Sequence, residues 1–283
     1  MNIFVIGATG FVGGHLSRHL AAEGHTVCGL ARTETAAAVL EARGIVPVAG
    51  DLDARRPAVV EAALNADAVV YAAQAAPEQE TGAVSDLVRT LAGTGRTLVF
   101  LSGSGVLLQR TAGAWSPDVF AEHDPFTVEP LAELRKATED IVLAAAGEGL
   151  RAMVVRPGLI WGPGDHGHLS MVYRSVARSG AACYVGQGLN TYGHVHIDDV
   201  TRLFALALDK GPCLPHLTPP RPPPCLTPRP APLPLPSPGP KQEAAPVRHG
   251  FSTGGCASAR SPSSGASASC SSRWVRTVTR PSR

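Results

Sequence analysis

The sequence predicts an α/β protein: a doubly wound parallel sheet with helices on both faces, carried by residues 1–210. Three observations lead there. Short, continuous apolar runs alternate with longer segments of helical periodicity. The runs are rich in Val, Ile, Leu and Ala, as strands covered on both faces require. A glycine-rich turn, "GATGFVGG", joins the first run directly to the first helical segment. Strand and helix in alternation imply right-handed crossovers and a parallel sheet.

Taken in order, "NIFVIG" (2–7) is a buried strand. Residues 11–24 form a helix with Val12, Leu16 and Leu20 on one face, closed by Gly24. "TVCGLAR" (26–32) is a strand. Residues 33–44 are a helix with Thr33 as N-cap and Gly44 beyond its end. A strand over 45–52, a helix near 55–64, a strand over 67–73, a helix near 83–92 and a strand over 96–102 follow. A long helix over 131–149 and a strand over 151–158 complete the pattern.

After Lys210 the composition changes. Residues 211–283 hold 17 of the 25 prolines, and nine Lys or Arg against one acid, Glu243. Their formal charge is therefore +8, which leaves −6 on the first 210 residues. The basic balance of the whole chain belongs to this tail, so no nucleic-acid surface is expected on the folded part. Proline at nearly every second position from Pro219 to Pro240 forbids helix and central strand. The tail is expected to be a disordered Pro/Ser/Arg-rich segment. Its lack of Ile, Asp, Asn, Tyr and Met fits a GC-rich gene translated out of frame; a genuine proline-rich segment for SH3-like partners is the alternative. The first 210 residues hold only two of six cysteines, Cys28 and Cys183, which suits a reducing, cytoplasmic compartment. No signal peptide and no membrane span are expected.

Gly7, Gly10 and Gly13 stand as G-x-x-G-x-x-G between strand and helix. The first permits a tight turn. The second lets a pyrophosphate approach the free amides at the helix start, and the third lets that helix lie close to the sheet. A ligand-free glycine turn is the alternative. At the end of the second strand, where an acid would grip the ribose 2′-hydroxyl of NAD, the sequence has Ala31-Arg32. A guanidinium there suits the 2′-phosphate of NADP, although a solvated arginine would read the same way. Asp51 is placed to meet the adenine amino group or, more simply, to cap the following helix.

Several segments together, "GATGFVGGHL", "GDL" at 50–52, "YAA" at 71–73, "LVFLSGSGV" at 98–106, "VVRPGLIWGPGD" at 154–165 and "HVHIDDV" at 194–200, resemble the extended or atypical branch of the short-chain dehydrogenase/reductase superfamily, the NAD-dependent epimerase/dehydratase family. The resemblance spans residues 1 to about 210. It implies a Rossmann-like fold, NADP (with NAD possible) as cofactor, a small-molecule substrate, and a smaller C-terminal substrate part that is truncated here. The cofactor contacts it implies fall on Gly7, Thr9, Gly10, Phe11, Val12, Gly13, Arg32, Asp51, Leu52, Ala72, Ala73, Pro157, Gly158 and Ile160.

In enzymes of this kind a serine, a tyrosine and a lysine carry the chemistry. Ser102 or Ser104 matches the serine and Lys136 the lysine, but Ala132 stands where Tyr-x-x-x-Lys has its tyrosine. Arg135 and Glu139 resemble an atypical variant, in which Lys136 or Arg135 faces the cofactor and another donor, such as Ser104 or water, serves the chemistry; otherwise these charges are a surface face with an i,i+4 ion pair. The expected activity is hydride transfer at a carbonyl or alcohol carbon of a small metabolite. The alternatives are a catalytically inactive NADP-binding or redox-sensing protein, and an interaction protein acting through its tail. Asp165, His166, His168, His194 and His196 invite a metal reading, but the resemblance accounts for them as loop and strand near the substrate, and no metal is expected. Trp115 and Trp161 are read as walls of a substrate pocket or as core.

Overall fold

The protein is described from a computed structural model, which covers residues 1–122, 124–165, 167–211 and 275–278. Its centre is a six-stranded sheet of β1 (Asn2–Ile6), β2 (Thr26–Ala31), β3 (Val46–Ala49), β4 (Ala68–Tyr71), β5 (Thr97–Leu101) and β6 (Arg151–Val155). The order is β3-β2-β1-β4-β5-β6, and every pairing is parallel. The winding reverses between β1 and β4, which opens a crevice at the carboxyl ends of those strands. This is a Rossmann-like doubly wound sheet.

Side chains of successive strand residues point to opposite faces, and the two cores follow from that. Ile3 and Val5 join Leu16 and Leu20 of α1 (Phe11–Ala22), Leu40 of α2 (Glu34–Glu41) and Val200, Phe204 and Leu208 of α7 (Ile197–Lys210). Phe4 and Ile6 join Val59 and Ala63 of α3 (Arg56–Leu64), Val84, Leu87 and Leu91 of α4 (Pro77–Leu91) and Val142 of α5 (Glu133–Ala144). All of these side chains are buried, the strand residues completely. Thr33 caps α2 as its sequence implies, its Oγ1 accepting from the Ala36 amide at 3.1 Å.

Two helices differ from their sequence patterns. α4 begins at Pro77, earlier than the apolar stripe suggests, because proline is well suited to a first helical turn whose amide needs no partner. α5 ends at Ala144 and tightens into a 3-10 turn over Ala145–Glu148, closed by Gly149 at φ +75°. Beyond β6, β7 (Leu159–Trp161) pairs in parallel with β9 (His194–His196), and α6 (His168–Ser179) leads to β8 (Ala182–Val185). Val275–Val278 forms β10, antiparallel to β8, a strand that the tail's composition did not announce. The proline-rich stretch read as a disordered tail lies, apart from Gly211 and this strand, outside the described residues. Among the described residues no helix is long and apolar enough to cross a membrane.

The C-terminal end of α7, beyond its apolar contacts, is tied to the sheet by one side chain. Arg151, at the start of β6, donates to the Gly211 carbonyl (3.0 Å), the Leu208 carbonyl (2.8 Å) and the Ala207 carbonyl (2.7 Å). A fourth bond reaches Thr97 Oγ1 at 3.2 Å. These carbonyls lie at and just beyond the helix end, where a cation also meets the negative pole of the helix dipole. Arg151→Ala is expected to lower stability by about 2 kcal/mol, seen as an earlier urea midpoint with an unchanged slope. Lysine at this position should recover only part, since it cannot span several carbonyls. An unchanged midpoint for Arg151→Ala would show that the clamp adds no stability.

Candidate active site

The carboxyl edge of the sheet collects most of the residues that the sequence singled out. β1 ends in Gly7, whose φ of +97° turns the chain sharply toward α1. A Cβ on Gly7 would come within 2.6 Å of the Ala72 carbonyl oxygen, so the turn packs directly on the end of β4. A Cβ on Gly13 would collide with the Gly7 carbonyl, so only glycine lets α1 lie this close to the turn. Gly10 is the N-cap of α1 and is exposed; a Cβ there would meet only the Gly7 oxygen, at 3.2 Å. The start of α1 therefore faces open space, with no acid in its first turn and with amides that a helix cannot pair internally. Free donors, an open approach and no competing carboxylate fit the pyrophosphate of a dinucleotide. Thr9 is exposed there, and Phe11 and Val12 are half-buried in the first turn.

At the next strand ends the Arg55 side chain is tied to the backbone of Arg32. Arg32 follows β2 and is exposed. Arg55 donates from Nη2 to the Arg32 carbonyl at 2.9 Å and from Nε to Asp51 Oδ2 at 2.8 Å. Asp51 Oδ1 accepts from the amides of Asp53 (2.9 Å) and Arg55 (3.1 Å). Arg55 and these amides hold the Asp51 carboxyl at a pKa of about 2, well below its ordinary value. Asp51 thus ties the turn before α3 together without capping the helix itself, whose N-cap is Arg55, while Leu52 beside it is buried. Arg55 was not singled out from the sequence, and only its spacing from Asp51 hints at the pair.

The ends of β4, β5 and β6 form the other half of the edge. Ala72 and Ala73 lie half-buried just past β4. Ser102 donates its amide to the Val155 carbonyl at 2.9 Å, and Ser104 donates its amide to the Pro157 carbonyl at 2.8 Å. Ser102 thereby continues the pairing of β5 with β6, and Ser104 lies against the Pro157–Gly158 turn. Ser102 Oγ is buried without a partner among the described residues, and Ser104 opens a short 3-10 turn. A Cβ on Gly158 would strike the Gly193 carbonyl, which fixes the start of β7 and Ile160 against β9.

Helix α5 departs from its sequence reading. Arg135 and Glu139 do not form an i,i+4 pair. Glu139 is fully buried and takes the Arg156 guanidinium in a bidentate grip, with Nε 3.0 Å from both carboxylate oxygens and Nη2 2.6 Å from Oε2. Arg135 reaches back toward the helix N-terminus, as long helical side chains do. Its Nε lies 3.2 Å from Glu80 Oε1 on α4, and its Nη1 donates to the Leu101 carbonyl at 3.3 Å. The i,i+4 pair on this helix joins Lys136 to Asp140 instead. Lys136 is thus engaged by its own helix, while Arg135 stands at the end of β5, one residue from Ser102. Ala132 is buried and has no proton to give.

Sequence reasoning missed Glu80, Tyr71 and Arg156 in this region. A signal existed for Glu80, because the stripe Ala83, Val84, Leu87 and Leu91, continued back one turn, falls on it. Burial pushes the Glu80 carboxyl up, with Arg135 pulling the other way. Tyr71 is fully buried against Phe100, with ring centroids 5.7 Å apart. Burial, then the Glu80 charge, push its hydroxyl up.

Among the described residues no three His, Cys, Asp or Glu side chains converge as a metal would need. His166 lies outside them. His196 caps α7, its Nδ1 accepting from the Asp198 amide at 3.2 Å, and its ring meets Trp161 edge-on at 4.7 Å. Trp161 and Trp115 are both exposed, which excludes a core role for either.

Comparison with known proteins places this geometry in a family. The model of the NAD dependent epimerase/dehydratase family matches residues 3–216. An uncharacterized protein of Schizosaccharomyces pombe is 33% identical over 220 residues, which are 74% of this chain and 71% of that protein. The 2-alkyl-3-oxoalkanoate reductase of Stenotrophomonas maltophilia is 30% identical over 223 residues, 74% of this chain and 66% of the reductase. Among solved structures, dTDP-glucose 4,6-dehydratase from Bacillus anthracis, in complex with NAD, shares the fold with a TM-score of 0.61 at 18% identity, over 75% of this chain and 73% of that one. With a glycine turn, a strand order and a family match that agree over three quarters of its length, the chain belongs to the NAD dependent epimerase/dehydratase family.

Proposed function

We propose that the chain is an NADP-preferring oxidoreductase acting at a carbonyl or alcohol carbon of a small metabolite. The observation that carries this reading is the carboxyl edge of the sheet, where an open glycine cradle, a pair of guanidinium groups and a serine-lined turn lie in the order a dinucleotide and its substrate need. A bound nicotinamide supplies or accepts the hydride. The chain's own residues bind and orient. Gly7, Thr9, Gly10, Phe11, Val12 and Gly13 form the cradle, and the amides at the start of α1 that the helix leaves unpaired face the pyrophosphate. Arg32, with Arg55 beside it, takes the 2′-phosphate by charge-assisted hydrogen bonds. Asp51 and Leu52 flank the adenine, and Ala72 and Ala73 pass behind the pyrophosphate. Pro157, Gly158 and Ile160 line the nicotinamide side, while Ser102 or Ser104 holds the substrate oxygen. Lys136, the lysine of the sequence motif, has its ammonium on Asp140. Residues 1–210 carry this function, with residues 211–283 outside it. Carbonyl reduction also agrees with the activity named for the Stenotrophomonas maltophilia relative.

A second reading, cofactor binding without turnover, is favoured by one feature. Neither Leu131 nor Ala132, in the turn just before α5, carries a hydroxyl, and the hydroxyl of the nearby Tyr71 is sealed in the core.

Titration of the full-length chain with NADPH and with NADH, followed by cofactor fluorescence, tests the binding half of the proposal. NADPH should bind about tenfold tighter, equivalent to ~1.4 kcal/mol, and Arg32→Ala should erase the difference by weakening NADPH alone. Equal binding of the two nucleotides by the unaltered chain would remove Arg32 from its role, and binding of neither would sink the proposal.

Gly13→Val should abolish binding of both nucleotides, with the helical circular dichroism largely kept, since its side chain has nowhere to go but into the Gly7 carbonyl. Undiminished binding by this variant would remove the cradle from the site. Oxidation of NADPH on addition of 3-oxo acids or their esters then separates turnover from silent binding.

A further inference from the structure

Glu80 is 2% exposed on α4, beneath the carboxyl ends of β4 and β5. One of its oxygens faces Arg135 Nε at 3.2 Å; the other has no partner among the described residues, and neither has the Tyr71 hydroxyl. A buried ion pair is a poor way to gain stability, because removing both charges from water costs about as much as their attraction returns. Nor is it needed to join the helices. Thr81 Oγ1 and Thr138 Oγ1 already meet at 2.7 Å between α4 and α5, above a continuous apolar core. What the pair does accomplish is directional. It draws the Arg135 guanidinium over the Phe100 ring, 5.7 Å from its centroid, and against the Leu101 carbonyl beside Ser102. With Nε and Nη1 so engaged, Nη2 has no partner among the described residues, and the side chain stays 35% exposed at the site.

We infer that Glu80 is a positioning residue: from its buried seat it holds Arg135 at the end of β5, where the remaining guanidinium N–H groups take a ligand oxygen from the nicotinamide half of the cofactor. The inference rests on the cofactor reading above. It assigns the fixed positive charge of the site to Arg135. Arginine stays protonated at all ordinary pH values, so this charge orients and stabilises but does not deliver a proton. The proton then comes from another donor, such as Ser104 or water.

The test uses the full chain, its preferred nucleotide (NADPH or NADH) and the adenine half alone (2′,5′-ADP or ADP). Glu80→Gln should weaken the whole nucleotide about fivefold or more while leaving the adenine half unchanged, and should not lower the melting temperature. Arg135→Ala should show the same split more strongly, and Arg135→Lys should recover part of it. A role confined to folding would weaken both ligands together and lower the melting temperature. Should a variant fail to fold, the Arg135 Nε–H resonance of the unaltered chain decides: it must move on addition of the whole nucleotide and stay still with the adenine half. If the unaltered chain binds neither nucleotide, the cofactor reading fails and this inference falls with it. If it binds both ligands and Glu80→Gln changes neither or both, this inference alone is overturned.

Discussion

The site depends on one contact between backbones. α1 lies against the turn after β1 because Gly13 has no side chain to strike the Gly7 carbonyl, and the turn lies against β4 because Gly7 has none to strike Ala72. Two missing methyl groups thus set where a helix start stands relative to a sheet edge. That edge is where the winding reverses, so the open cradle lies at the same side of the sheet as the ends of β4, β5 and β6. The serines and the Pro157 turn need no arrangement of their own. They come to the same place because parallel strands all end on one side.

A second constraint acts on α5. Glu139 is fully buried and is matched by a bidentate guanidinium from the residue after β6. The pair raises the Arg156 pKa still further, chiefly through the hydrogen bonds themselves. Glu139 therefore fixes the rotation of the helix about its own axis. One turn before it comes Arg135, on the same face and directed at β5, and a turn earlier comes Leu131. Lys136, one position along, rotates away from that face and finds Asp140. Cations adjacent in sequence are thereby given different work by a carboxylate several residues downstream.

This explains which parts were legible in the sequence. Strand runs, the glycine spacing and Thr33 as a cap are local patterns, and each stands in the fold where its pattern put it. The helix carrying "ELRKATED" was legible as a helix but not in its partnerships. An i,i+4 spacing makes Arg135 and Glu139 neighbours on paper, yet each has a better partner on another element, Glu80 and Arg156, separated by dozens of residues or by a whole strand. Burial decides such matches, and burial of a charge is written in the packing of other helices. Asp51 shows the converse. Its two sequence readings used the same carboxylate, and the fold uses it in the turn before α3, whose N-cap is Arg55.

The clamp of Arg151 on the end of α7 has a consequence for synthesis. α7 is the last helix to emerge among the described ones that cover the sheet, yet it packs against α1, the first, and buries the sheet face shared by Val5 of β1, Val70 of β4 and Val99 of β5. A nascent chain released from the ribosome before residue 197 would expose that apolar face beside an otherwise formed nucleotide cradle. Early-formed elements must wait for the final helix before the domain is sealed, and chaperones would find their binding surface on that side of the sheet. The protein is made from one end to the other, but its cofactor half is completed only by a segment more than 170 residues downstream of α1.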